Sequence, residues 1–155
     1  MDLQFKAQLG EVLAGRPQSE KFVEGLNQDF EEGEFVTLAS GLVTYDASDP
    51  TLVLGLARAN SHNHASVYYP CEVLVANART TFIMQIYNSD SGNVTLAQAH
   101  IGASYGITPS SGIWYVDEHK TSTSARVKIV KPFDPIGTVN GRVYVQVLAA
   151  QREFD

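Results

Sequence analysis

From Phe35 onward the chain is a succession of short runs of β-branched, aromatic and aliphatic residues, each cut off by turn chemistry. No other feature narrows its possible folds as far. FVTL, LVTY, TLVLGLA, SVYY, EVLVA, TFIMQIY, VTLAQAHI, GIWYVD, ARVKIVK and RVYVQVL all have strand length and strand composition. Between them lie Ser40-Gly41, Asp46 to Pro50, Asn60 to His64, Ser89 to Asn93, Pro109 to Gly112, Thr121 to Ser124 and Asn140-Gly141, all residue types that favour reversals. About eight to ten short strands with almost no helix predict an all-β domain, an antiparallel barrel or sandwich. At 155 residues the chain is one domain by default and is expected to bury roughly 68–70% of its unfolded surface.

Alternation indicates which faces are buried. In Arg126 to Lys131, Val127, Ile129 and Lys131 share one face and Arg126, Lys128 and Val130 the other; in Val143 to Val147 three valines face one way. TLVLGLA and EVLVA are apolar on both faces. They are expected to be central, or covered on the outside by the N-terminal segment or a partner subunit.

Residues 1–33 differ in character from residues 34–155, the expected β domain. Leu3, Ala7 and Leu9, then Phe22, Val23, Leu26 and Phe30, are spaced partly as in amphipathic helices, with Asp2 and Ser19 as candidate caps. Two readings stand: a frayed terminus with one or two short helical turns, or an arm whose apolar residues dock on a neighbouring subunit. In the second, Leu3, Phe5, Leu9, Phe22, Val23, Leu26 and Phe30 form the interface. Most of the net charge of -6 also lies in this segment, and no basic stripe offsets it elsewhere. That pattern argues against nucleic acid and against an anionic membrane as partners. No apolar run approaches the roughly 18 residues of a membrane-spanning helix, and MDLQFKAQLGEVL lacks the marks of a signal peptide, so a soluble protein made in a cytoplasm is expected.

Chemistry-bearing motifs are few, and neither a catalytic residue nor a cofactor is expected. FDPIGTVNGRVYVQV has glycines at 137 and 141 that mimic a phosphate loop, but the residues after Gly141 alternate as a strand, leaving no helix N-terminus for an anion. Asn140-Gly141 is expected to be a tight turn with both residues at positive φ, Gly137 a bend after Pro135, and Arg142 a partner for a carboxylate across the sheet. Gly55, His62, His64 and Glu72 resemble the first metal-binding motif of cupin barrels, because two histidines at i and i+2 share a strand face. Their turn-like setting and the distance to Glu72 favour exposed loop histidines instead, and no metal is expected. Cys71, the one cysteine, excludes an intrachain disulfide and reads as a buried structural thiol. Asp117-Glu118, Asp46 and Asp49 read as solvated turn carboxylates. Tyr68, Tyr69, Trp114 and Tyr115 are candidate surface or ligand aromatics, the basis of an alternative reading as a carbohydrate-binding module. On a strand, Trp114 and Tyr115 face opposite ways, one to the core and the other to a surface or interface.

The order FVTLASGLVTYD, TLVLGLA, IGASYGI, SGIWYVDEHKTSTSARVKIV and NGRVYVQVL resembles the small decoration proteins, also called cement or head-stabilising proteins, encoded beside the major capsid protein in tailed bacteriophages. The resemblance runs in order over residues 33 to 150 and leaves Arg58 to Gln98 unmatched. It implies a β-barrel or β-tulip-like domain and homotrimers on the outer capsid surface of the virion, with the major capsid protein as partner. It also implies synthesis in the host cytoplasm and N-terminal arms that reach across capsomer boundaries.

Overall fold

A computed structural model describes residues 3–12 and 17–154. It is all-β among those residues, apart from single 3-10 turns at Gln98–His100, Ser122–Ser124 and Ala149–Gln151. The strands are β1 (Gln8–Val12), β2 (Ser19–Val23), β3 (Phe35–Ala39), β4 (Leu42–Tyr45), β5 (Gly55–Ala57), β6 (Pro70–Val75), β7 (Thr80–Tyr87), β8 (Ser104–Ser110), β9 (Ile113–Asp117), β10 (Val127–Pro132) and β11 (Arg142–Val147).

They form two sheets. The first has the order β1-β7-β11-β10-β8-β9 and closes on itself, because β9 also pairs in parallel with the C-terminal half of β7 (Gln85↔Tyr115, Ile86↔Val116, Tyr87↔Asp117). The remaining pairings of this sheet are antiparallel, so the barrel is mixed. β1 lies against the N-terminal half of β7. The second sheet has the order β2-β6-β5-β3-β4. Its two edges bend toward each other until Glu24, just past β2, bridges Val43 of β4 and the Gly25 amide donates to the Val43 carbonyl at 2.8 Å.

Each sheet encloses a core. Phe82, Met84 and Ile86 of β7, Trp114 and Val116 of β9, and Val143, Val145 and Val147 of β11 fill the barrel at the period of two that puts alternate strand residues on one face. Phe30, Val36, Val43, Leu54, Ala57, Cys71 and Val73 form the second core. β5 and β6 supply both: Leu56 and Leu74 belong to the barrel core, while Ala57, Cys71 and Val73 belong to the other. This is why TLVLGLA and EVLVA are apolar on both faces. The cover on the far side is the chain's own N-terminal segment, through Phe30 and Phe22. At roughly 1.5–3 kcal/mol for each fully buried large apolar side chain, this shared wall is a main source of stability. Phe35 stands at the junction, its ring edge-on to Phe82 at 5.3 Å and to Trp114 at 5.5 Å.

Gly55 lets the wall form. A β-carbon there would stand 1.9 Å from the Leu74 carbonyl oxygen, so only glycine permits β5 to lie this close to β6. The C-terminal segment returns from the barrel to the second sheet: Val53 bridges Arg152, Glu153 accepts from the Thr37 hydroxyl (2.8 Å) and the Leu38 amide (3.0 Å), and Phe154 stacks on Phe22.

Several expectations need correction. The N-terminal segment has no helical turn among its described residues. Leu9 and Phe22 lie on β1 and β2, Ser19 is a strand residue and not a cap, and Asp2 lies outside the described residues. Of TLVLGLA only Gly55–Ala57 is strand, SVYY is an exposed loop, and VTLAQAHI holds a bridge at Thr95 and a 3-10 turn. β10 and β11 are joined by residues 133–141, not by a tight two-residue turn; Asn140 has φ 49° and Gly137 φ 99°, but Gly141 is not in the left-handed region. Asn140 is buried and bonded, receiving the Val94 amide and donating to Asn93, because this loop is pinned to residues 93–97. A register shift between Ile129 and Lys131 moves Lys131 beside Tyr144, outside the face that Val127 and Ile129 share.

Candidate interaction surface

The seven apolar residues of the N-terminal segment divide by position. Leu3 and Phe30 are buried, Leu9 packs on the barrel core, and Phe22 packs on the second core. Phe5 is half-buried and lies over the Arg142 guanidinium, while the amides of Gln4 and Phe5 donate to Gln85 Oε1 at 3.1 and 3.0 Å. Leu26 is half-buried, and Val23 alone is largely exposed, at 45%. β2 pairs with β6 along its whole length and β1 pairs with β7 at Gln8, Leu9 and Val12 across a register shift, so most of this apolar surface is already occupied within the chain.

The four candidate ligand aromatics do not meet on one surface. Trp114 and Tyr115 are both buried, because β9 is covered on both faces where it lies between β8 and β7. Burial, with Asp117 adding to it, pushes the Tyr115 hydroxyl up to about 12. Tyr68 is exposed, and Tyr69 is half-buried beneath the His62 ring, 4.1 Å between centroids.

His62 and His64 sit in the long loop 58–69. His62 Nδ1 lies 2.9 Å from Glu24 Oε2, and the His62 amide donates to the other oxygen of that buried carboxylate at 2.8 Å. His64 Nδ1 accepts the amides of Ser66 and Val67, so that nitrogen is already engaged within the loop. Glu72 is on β6 and accepts the Ser19 hydroxyl. Among the described residues no grouping of His, Cys, Asp and Glu has the arrangement of a metal site. Cys71 lies in the second core, where burial, with Glu24 and Glu72 adding to it, pushes its thiol up to about 11. Asp46 and Asp117, read as solvated turn carboxylates, are both buried.

The surface with the strongest character was missed in the sequence. Residues 133–141 carry Phe133, Ile136 and Val139, exposed at 41, 45 and 56%. The loop is rigidly built. Arg142 grips Asp134 with its guanidinium (Nε to Oδ2 2.9 Å, Nη2 to Oδ1 2.8 Å) and donates its own amide to Oδ2 at 2.7 Å. Those bonds hold the Asp134 carboxyl below the usual carboxylate range. Phe133 stacks on the same guanidinium at 4.4 Å and packs on Tyr144. A turn at Pro135 to Thr138, with Gly137 at the position that needs positive φ, fixes the tip, and the Gly137 amide donates to the Leu96 carbonyl. The signal in the sequence is Phe133, Ile136 and Val139 interspersed among Pro132, Pro135, Gly137 and Asn140, apolar residues inside turn chemistry.

Comparison with protein-family models, with curated proteins and with solved structures finds no match.

Proposed function

We propose that the protein is a bacteriophage capsid decoration protein, which binds the major capsid protein on the outside of an icosahedral head and stabilises contacts between capsomers. The reading rests on the sequence resemblance, and the observation that carries it furthest is the loop 133–141 with its exposed Phe133, Ile136 and Val139. Apolar side chains presented on a rigid loop lose little conformational entropy on binding, which suits them to anchor a protein–protein contact. They lie between two stretches that carry the resemblance, the one ending at Val130 and the one beginning at Asn140. With the N-terminal apolar residues largely occupied within the chain, this loop replaces them as the principal contact, and Val23 is what remains of the arm's outward face. Homotrimers on the shell would multiply a modest contact by valency.

The test is co-sedimentation with empty phage heads. A variant carrying Ile136→Asp and Val139→Asp keeps the fold, because both side chains point to solvent. It is expected to bind at least about tenfold more weakly, the cost of removing central apolar anchors. Attachment as tight as that of the parent chain would overturn the assignment of this surface.

A further inference from the structure

The loop after β4 and the turn after β9 meet at a lysine held between two aspartates. Lys120 Nζ lies 2.7 Å from Asp49 Oδ2 and 3.9 Å from Asp117 Oδ2, and it also donates to Thr108 Oγ1 (3.0 Å) and Ser48 Oγ. The Lys120 and Asp49 side chains are only 22% and 24% exposed, and that of Asp117 is fully buried. Asp117 Oδ1 accepts the amides of Ser89 and His119, while Oδ2 accepts the Thr108 hydroxyl at 2.9 Å and faces the lysine. Asp49 Oδ1 is buried with no hydrogen-bond partner.

The surroundings fix this geometry from every side. Asp49 is in the left-handed region (φ 55°), its amide donates to the Ile107 carbonyl, and Arg126 clasps the carbonyls of Asp49 and Pro50. At Gly106 a β-carbon would stand 2.7 Å from both Asp49 Oδ1 and Lys120 Cβ, so only glycine leaves room for the pair. An ordinary ion pair needs none of this. What is assembled is an amine nucleophile, a carboxyl carbon with one oxygen unengaged, and a buried carboxylate beside them as proton carrier.

We propose that Lys120 and Asp49 join in an intramolecular amide bond, with Asp117 carrying the proton. One ammonium proton passes directly to the Asp49 carboxylate, 2.7 Å away, giving amine and carboxylic acid. The Nζ lone pair then attacks Asp49 Cγ, and the carbonyl π electrons move onto oxygen. Asp117 Oδ2 takes a proton from Nζ and returns it to the hydroxyl; the carbonyl re-forms, the C–O bond breaks and water leaves. Lysine ammonium and aspartate carboxylate become amide and water, with no oxidant, reductant or co-reactant. Groups held at contact distance gain effective molarities on the order of 10⁵–10⁸ M, which lets a condensation proceed that is unfavourable between free molecules in water. The bond ties the loop after β4 of the second sheet to the barrel in a chain whose one cysteine excludes an intrachain disulfide.

The intact mass of the full purified chain tests this. It is expected to be lighter than the sequence by one water, and proteolysis should release a branched species joining the Asp49 peptide to the Lys120 peptide. Lys120→Arg preserves the positive charge but cannot form the amide, and should carry the full sequence mass and melt at a lower temperature. Asp117→Asn should also remain at full mass, or close the bond far more slowly. Parent protein at full sequence mass after prolonged incubation overturns the proposal whatever the variants do, as does a water loss located within one linear peptide. Bond formation in Asp117→Asn at the parental rate would overturn the role given to Asp117.

Discussion

Asp46 follows β4 in a setting that no reading of the local sequence conveys: it is buried, one carboxyl oxygen has no partner, and burial with the nearby Glu153 pushes it up to about 8. The folded protein therefore binds this proton more tightly than the unfolded chain does. Stability from this group is fully present below the usual carboxylate range and falls as pH rises from about 4 toward 8, by at most about 1.4 kcal/mol per pH unit. Urea unfolding at pH 5 and pH 8 is expected to find the protein less stable at the higher pH, and Asp46→Asn should flatten that dependence. Gly55→Ala belongs to the same scale. Its β-carbon would meet backbone and not a movable side chain, so a loss of about 3 kcal/mol or more is expected in thermal or urea melts. Neither effect was legible in the sequence, where Asp46 resembled any turn aspartate and Gly55 resembled a motif glycine. Burial and close approach come from strands far apart in the chain.

Among elements, strands with one buried face were legible and edge strands were not. RVYVQV and VKIV alternate because one side meets the core, and they appear as β11 and β10. QLGEV and SEKFV run along sheet margins where most side chains meet water, so their pattern carries little of the period-two signal and a helical reading fitted as well. Their place is set by pairing with β7 and β6. Removing residues 1–30 is accordingly expected to lower the melting temperature steeply, since it deletes both strands and Phe30 together. Phe30→Ala alone should cost about 3–5 kcal/mol, the price of a large cavity in a core that cannot collapse around it. Attachment to shells is better tested with substitutions on loop 133–141, which leave the sheets intact.

For the molecule as a whole, the all-β class followed from the turn-punctuated runs, but the closure of the barrel by a parallel β7–β9 pair did not. The direction of a pairing is set by strands brought together from distant parts of the chain, so local sequence does not specify it. The surface followed the same logic: Trp114 looked like a ligand platform and is core, while Phe133, Ile136 and Val139 looked like turn filler and are exposed. The wall of β5 and β6, with alternate side chains in two cores, has a further consequence. Neither core keeps its lining when the other melts, so the two cannot behave as separate thermodynamic units. Calorimetry is expected to record a single peak whose van't Hoff enthalpy matches the calorimetric one, without the shoulder that two independently melting bodies would leave.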